Sequence, residues 1–332
     1  MNILKRYRLF VVPTAISIIA LLAVAGWLGA TAFLTALLLV ILEVTLSFDN
    51  AVVNAKVLER MTPQWQRRFL TWGIFVAVFL TRAVLPIIIV AASVMISPIE
   101  VGKLAFFDPG HYAEMLESAK YTIYSFGGMF LFMVSLKYFF DARKERHWLH
   151  WVERHLSRWG HIEAIEIALA LCALAGVASL MVAHQVEVLI AGIIGIVLFI
   201  VIQGIANSFA VETSGVAAHA GLALFIYLNI LDAAFSLDSV VGAFALSTQL
   251  PIIIIGLGVG AYFVRTLTVY MVQKGTLSEL VYIEHGAHWA ILGLALAMLA
   301  SLFVDVPEPV TGLVGLGFLL VAYISSVRTV NA

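Results

Sequence analysis

Apolar runs of about 18 to 27 residues follow one another along the chain, separated by short polar or proline-bearing stretches. A helix crosses a membrane with about 20 consecutive apolar residues. The pattern therefore predicts an all-α, polytopic membrane protein with ten crossings, at 9–28, 30–56, 70–97, 121–141, 163–183, 188–210, 219–246, 250–273, 286–304 and 309–328. The separators carry loop signals: Thr62-Pro63 with Arg67 and Arg68, Ser97-Pro98, Asp108-Pro109-Gly110, the charged stretch 141–161, and Asp305 to Pro309. Only Trp27 to Thr31 marks a turn between the first two crossings.

Composition excludes the alternative of a soluble fold. Of 332 residues, 62% are hydrophobic and 12% charged, against about 25% charged in soluble domains. With a mean hydropathy of +1.04, the polar side chains are too few to cover a globule in water, and lipid is the expected partner. The net charge of −1 gives no basis for nucleic-acid binding. The one cysteine, Cys172, rules out an internal disulfide or a thiolate metal cluster and reads as a small buried apolar residue.

The distribution of basic residues sets an expected orientation, because Lys and Arg accumulate in cytoplasmic loops. With the N-terminus inside, Lys5, Arg6, Arg8, Lys56, Arg60, Arg67, Arg68, Lys137, Arg143, Lys144, Arg146, Arg154, Arg158, Lys274 and Arg328 all fall on the inner side. Lys103 and Lys120 fall outside, and Arg82 and Arg265 lie within spans. Both termini are thus expected in the cytoplasm, with the protein in the cell membrane. Lys5 to Arg8 followed by Ala23-Val24-Ala25 also fits a secretory leader, although the apolar stretch is long enough to be a full span.

The linker 142–162 is the longest charged segment. Trp148, Val152, Leu156 and Trp159 recur at helical spacing opposite Arg146, Arg154 and Arg158, which predicts a helix lying in the membrane interface. His147, His150, His155 and His161 read first as part of a solvated basic face against anionic lipid, and second as a metal-sensing group.

Two spans contain a self-match. Glu43-Val-Thr-Leu-Ser47-Phe-Asp49-Asn50 aligns with Asp232-Ala-Ala-Phe-Ser236-Leu-Asp238-Ser239 at a constant offset of 189. Thr81-Arg82 resembles Val264-Arg265, and Gly127-Gly128 resembles Gly286-Ala287. One membrane domain over 1–332 is then organised as repeat one (30–141), the linker, two spacer helices (163–210), repeat two (219–304) and a C-terminal helix (309–328). Two intervening crossings make the three-helix repeats inverted, the arrangement of many secondary transporters. Glu43 and Asp232 each sit near the middle of their spans; Asp49 and Asp238 lie about 9 Å further along.

An acid at mid-membrane costs about 2.5 to 3.5 kcal/mol and marks a function unless a partner neutralises it. Glu43, Ser47, Asn50 and Asn54 share one helix face, as do Asn229, Asp232, Ser236 and Ser239. Four acids against Arg82 and Arg265 leave a balance of −2, which a divalent cation or two protons would neutralise. The candidate ligands are Glu43, Asp49, Asn50, Asp232, Asp238 and Ser239, supported by Ser47, Asn54, Asn229 and Ser236, with Arg82 and Arg265 as counter-charges. Oxygen ligands without thiol or imidazole suit Mn²⁺, Ca²⁺ or Mg²⁺. Whether both acids of a motif face one site depends on whether the helix unwinds near Ser47 or Ser236. Glu284, His285 and His288 form a secondary candidate, either a cytoplasmic entry site or a satisfied interfacial cluster. Glu163 and Glu166 open the fifth span, and Gly256, Gly258 and Gly260 allow close helix packing.

The pair Glu-x-x-x-Ser-x-Asp-Asn at 43–50 and Asp-x-x-x-Ser-x-Asp-Ser at 232–239 resembles the signature of the TerC family of integral membrane proteins, within the LysE-type exporter superfamily. The resemblance covers about 30–305, and this chain departs from it by extra crossings and by its His- and Trp-rich linker. It implies metal-ion efflux, with Asp49, Asp238, Glu43 and Asp232 as the intramembrane acids. The expected function is export of a divalent cation, Mn²⁺ before Ca²⁺, against protons, with no permanently bound cofactor. The alternative is a membrane scaffold acting through a cytoplasmic partner at the linker; a homo-oligomer is compatible with either. No HExxH or GxSxG motif points to an enzyme.

Overall fold

The computed structural model describes residues 3–142, 144, 146–162, 164–211, 217–275 and 280–330. All regular structure among them is helical. In chain order the helices are α1 (Ile3–Leu46), α2 (Phe48–Leu58), α3 (Pro63–Phe75), α4 (Leu85–Val94), α5 (Pro98–Phe107), α6 (Pro109–Ser118), α7 (Lys120–Phe139), α8 (His150–Trp159), α9 (Ile165–Leu180), α10 (Gln185–Val211), α11 (Ala217–Leu246), α12 (Leu250–Lys274), α13 (Ile283–Ala300) and α14 (Glu308–Val330). A π-helical stretch, Val76–Val84, joins α3 to α4. Glu163 lies outside the described residues.

The chain is an all-α polytopic membrane protein with eight stretches long and apolar enough to cross a bilayer, among the described residues. The sequence predicts ten, and the difference falls at two places. Ile165–Leu180 is apolar but shorter than a full span. The predicted crossings 9–28 and 30–56 form one apolar run, Leu9–Thr45.

That first run is not a straight rod. Gly29 has φ 88° and ψ 178°, a conformation that a Cβ excludes. Leu39 packs on Gly256 and Glu43 on Gly260, so this part of α1 runs alongside α12 in the same direction. Phe10 meets Tyr270 with ring centroids 5.8 Å apart. On a straight helix Phe10 would lie about 50 Å upstream of Glu43, away from Tyr270, so the chain reverses at Gly29. Gly29→Ala should cost about 1–3 kcal/mol and lower the thermal midpoint of the purified protein. Gly26→Ala, which meets open space within a regular helix, should leave the midpoint unchanged or raise it.

By its internal contacts the chain forms two compact units, Met1–Lys120 with Val216–Thr276, and Tyr121–Gly215 with Leu277–Ala332. Each predicted repeat gives its first two helices to the first unit and its third to the second. In the first unit, Leu39 shares a core with Val240 and Ala243, and Leu58 one with Leu228, so the α1–α2 line runs antiparallel to α11. Gly73 lies on Arg265 and Val78 on Gly258, which makes α3 and the π stretch antiparallel to α12. Equivalent helices running antiparallel is the relation that an inverted repeat requires.

The segment 98–120, left between predicted crossings, contains α5 and α6. Pro98 and Pro109 occupy their first turns, where a missing N–H costs nothing, and the Asp108 side chain caps α6 by accepting from His111 N at 3.3 Å.

In the second unit, α7 and α13 are antiparallel: Gly128 packs on Leu299, and the Phe139 ring lies 4.7 Å from that of Trp289. Gly192 admits Leu174 between α9 and α10, Gly286 admits Ala322 between α13 and α14, and Ser125 Oγ donates to the Val188 carbonyl at 2.6 Å.

Candidate functional site

The polar positions of the self-match are buried together in the first unit. Glu43, Ser47, Asp49, Asn50, Asn54, Arg82, Asn229, Asp232, Ser236, Ser239 and Arg265 are each less than a tenth exposed; Asp238 is partly exposed. Helix periodicity explains the first links. Ser47 Oγ donates to Glu43 Oε1 at 3.1 Å, and Asn54 Nδ2 donates to Asn50 Oδ1 at 2.6 Å, both one turn apart.

Among the described residues, each repeat holds one fully buried arginine–carboxylate pair. Arg82 Nη2 bonds Glu43 Oε1, while its Nη1 donates to the Ala77 carbonyl at 2.7 Å and to Thr81 Oγ1 at 3.3 Å. Arg82 lies on the π stretch, a feature frequent at functional sites. In the second repeat Arg265 Nη2 donates to Asp232 Oδ2 at 2.8 Å and to Asn229 Oδ1 at 3.1 Å. Its guanidinium carbon stands 4.3 Å from the centroid of the Phe69 ring, and Gly73 leaves room for Nη1. Among the described residues one hydrogen bond joins the repeats: Asn50 Nδ2 donates to Asp232 Oδ1 at 2.8 Å.

The other two acids stand apart from these pairs. Asp49 Oδ1 accepts from the backbone N–H of Asn50 at 2.8 Å, and neither Asp49 nor Asp238 makes an ion pair among the described residues. Buried oxygens also remain without hydrogen bonds there, namely Glu43 Oε2, Asn54 Oδ1 and Ser236 Oγ. Among the described residues no three His, Cys, Asp or Glu side chains gather closely enough to hold a metal ion.

The helices are nearly intact at the motifs. The α1–α2 break is confined to Ser47 (φ −94°, ψ 19°), and backbone bonds bridge it from Ser47 N to Glu43 O at 3.0 Å and from Ala51 N to Ser47 O at 3.1 Å. Through Ser236, α11 continues without a break. The acids of each motif therefore keep the separate directions that an α-helix gives positions six residues apart.

The second unit reshapes the secondary candidates. His285 Nδ1 lies 2.7 Å from Glu153 Oε2. His288 stacks on Tyr138, with centroids 3.6 Å apart, and its Nδ1 lies 2.8 Å from the Glu284 carbonyl. Both imidazoles take part in packing, which favours the satisfied-cluster reading over an entry site. Glu166 pairs with Lys137 at 2.7 Å.

Sequence reasoning missed Glu153. It is fully buried and accepts from Trp289 Nε1 at 3.0 Å and from the Trp148 backbone N–H at 3.2 Å, with Lys144 Nζ 3.1 Å away. Burial raises its carboxyl, but the His285 hydrogen bond and the Lys144 charge outweigh it and hold the group at about 2. The only signal was a lone acid on the polar side of an amphipathic helix. On α8, Glu153 and Ser157 point inward, while Trp151 is 76% and Trp159 55% exposed. Periodicity alone could not foresee that one ionic anchor fixes the helix rotation.

Fold and site together define a helical membrane protein with two buried arginine–carboxylate pairs, a further acid, Asp238, in a spanning helix, and another, Asp49, on α2 just beyond the apolar run Leu9–Thr45. The chain belongs to the family described as protein of unknown function DUF475, whose profile matches residues 48–332. The match includes Asp49, Asn50, Arg82 and the whole second motif; Glu43 and Ser47 precede it. No curated protein and no solved structure matches the chain.

Proposed function

We propose that the chain is a secondary transporter that expels a divalent cation, Mn²⁺ before Ca²⁺, in exchange for protons. One observation carries this reading. Arg82 and Arg265 are each committed to one acid, Glu43 and Asp232, so the excess charge of −2 rests on Asp49 and Asp238. A carboxylate in a spanning helix without a counter-ion is costly, and a proton or a metal ion removes the cost. Both ligands compete for the deprotonated oxygens, so metal binding releases protons, which is the elementary step of an antiporter. The amide and hydroxyl oxygens of Asn50, Asn54, Ser236 and Ser239 are hard donors that suit Mn²⁺. The antiparallel placement of equivalent helices supports alternating access, and the TerC-like motifs point to the same cargo. In this reading the protein sits in the cell membrane with both termini in the cytoplasm.

The test is manganese content and manganese sensitivity of cells carrying Asp49→Asn or Asp238→Asn, with protein level in the membrane as the control. Export should fall in each variant by at least about tenfold, the loss that removing even an outer partner of a metal ligand produces. Unchanged export in both variants would overturn the mechanism.

A further inference from the structure

The outer face of α8 has a composition unlike the rest of the linker. Its one acid, Glu153, is turned inward and buried, and its charge is met there by Lys144 at 3.1 Å. On the opposite side of the same helix, Trp151, Arg154, His155, Arg158 and Trp159 are all exposed. With 100° per residue, these five positions occupy one sector about 140° wide. No carboxylate of α8 shares that sector, so the face is cationic and carries two indoles.

From these features we infer that the outward face of α8 binds the headgroups of anionic phospholipids. Three observations select a lipid surface over an acidic protein. The helix lies between the apolar α7, ending at Phe139, and the apolar α9, starting at Ile165. The residues between Trp159 and Ile165 can reach at most about 20 Å, so α8 is tethered near the ends of membrane helices. Trp151 and Trp159 have the amphipathic rings that concentrate at headgroup level. Beside them Leu149 is 38% and Ile162 55% exposed, apolar surface that suits the boundary between headgroups and acyl chains.

The anchoring of Glu153 explains why this face is presented. With His285, Trp289 and Lys144 held on the inner side of α8, the helix cannot rotate to hide its tryptophans without breaking a buried carboxylate's contacts. Arginine suits the outer role because its planar guanidinium grips phosphate through two parallel hydrogen bonds. The inference concerns only the lipid contacts of α8 and is independent of the transport reading.

The full-length protein is placed in nanodiscs of phosphatidylcholine in which either phosphatidylglycerol or phosphatidylcholine, at equal mole fraction, carries brominated acyl chains that quench indole. The signal of Trp151 and Trp159 is the difference between the parent protein and the W151F/W159F variant. Quenching should be stronger with brominated phosphatidylglycerol than with brominated phosphatidylcholine, and the preference should vanish in concentrated salt. Each of Arg154→Gln and Arg158→Gln should reduce the preference about five-fold, the weight of one basic residue at an anionic surface. Circular dichroism establishes that the variants are folded. Equal quenching by the two lipids would overturn the inference by showing a face that reads lipid without reading charge. Absence of quenching by either would overturn it by showing a face turned to water, open to a protein partner.

Discussion

Arg265→Met is expected to destabilise the protein by about 3–5 kcal/mol, the cost of leaving one partner of a buried ion pair uncompensated. Arg265 is 1% exposed and supplies both Asp232, at 2.8 Å, and Asn229, at 3.1 Å, from one nitrogen. Its removal leaves the Asp232 carboxylate with the amide of Asn50 as its one donor among the described residues. Methionine keeps the bulk of the stem against Phe69, so the loss reports charge rather than a cavity. The check is the thermal midpoint and monodispersity of the full chain in detergent. The double variant Asp232→Asn/Arg265→Met should recover much of the lost stability, because it removes the orphaned charge as well. A double variant as unstable as the single one would show that the arginine acts by packing alone. Arg82→Met with Glu43→Gln should behave in the same way in the first repeat.

Glu153→Ala should cost a similar amount, about 3–5 kcal/mol. It strips a fully buried acceptor from Lys144, His285 and Trp289 together. Glu153→Gln keeps one acceptor oxygen for Trp289 or His285 and should lose less. Acid should imitate the substitution in the parent protein. The Glu153 carboxyl lies at about 2 when folded against the ordinary 4.5, so between these values the unfolded chain binds the proton that the folded chain refuses. The stabilisation is therefore present above about pH 4.5 and is lost as the pH falls toward 2. Thermal midpoints measured from pH 6 to pH 3 should fall more steeply for the parent protein than for Glu153→Gln, which has no carboxyl to titrate at this position. Parallel slopes would show that other groups control acid stability.

That two arginines would neutralise two of the four intramembrane acids was legible in the sequence, because Arg82 and Arg265 fall at matching places in the repeat. The faces formed by Glu43, Ser47, Asn50 and Asn54 were legible for a similar reason, since spacing along a helix is a local property. Which acids would remain without a counter-charge was not, because the choice between Glu43 and Asp49 for Arg82 depends on how two helices pack. Nor was the reversal at Gly29 secure. Glycine at a weak separator is compatible with a continuous helix or a turn, and only the meeting of Phe10 with Tyr270 distinguishes them.

By itself the sequence determined a helical membrane protein, most of its apolar spans and a repeated set of polar positions within them, because each follows from composition and from the period of the helix. The tertiary structure alone decided the link from Asn50 to Asp232, the isolation of Asp49 and Asp238 from the arginines, and the inward turn of Glu153. Each of these joins residues far apart in the chain, where the outcome depends on helix rotation and packing that no local pattern encodes.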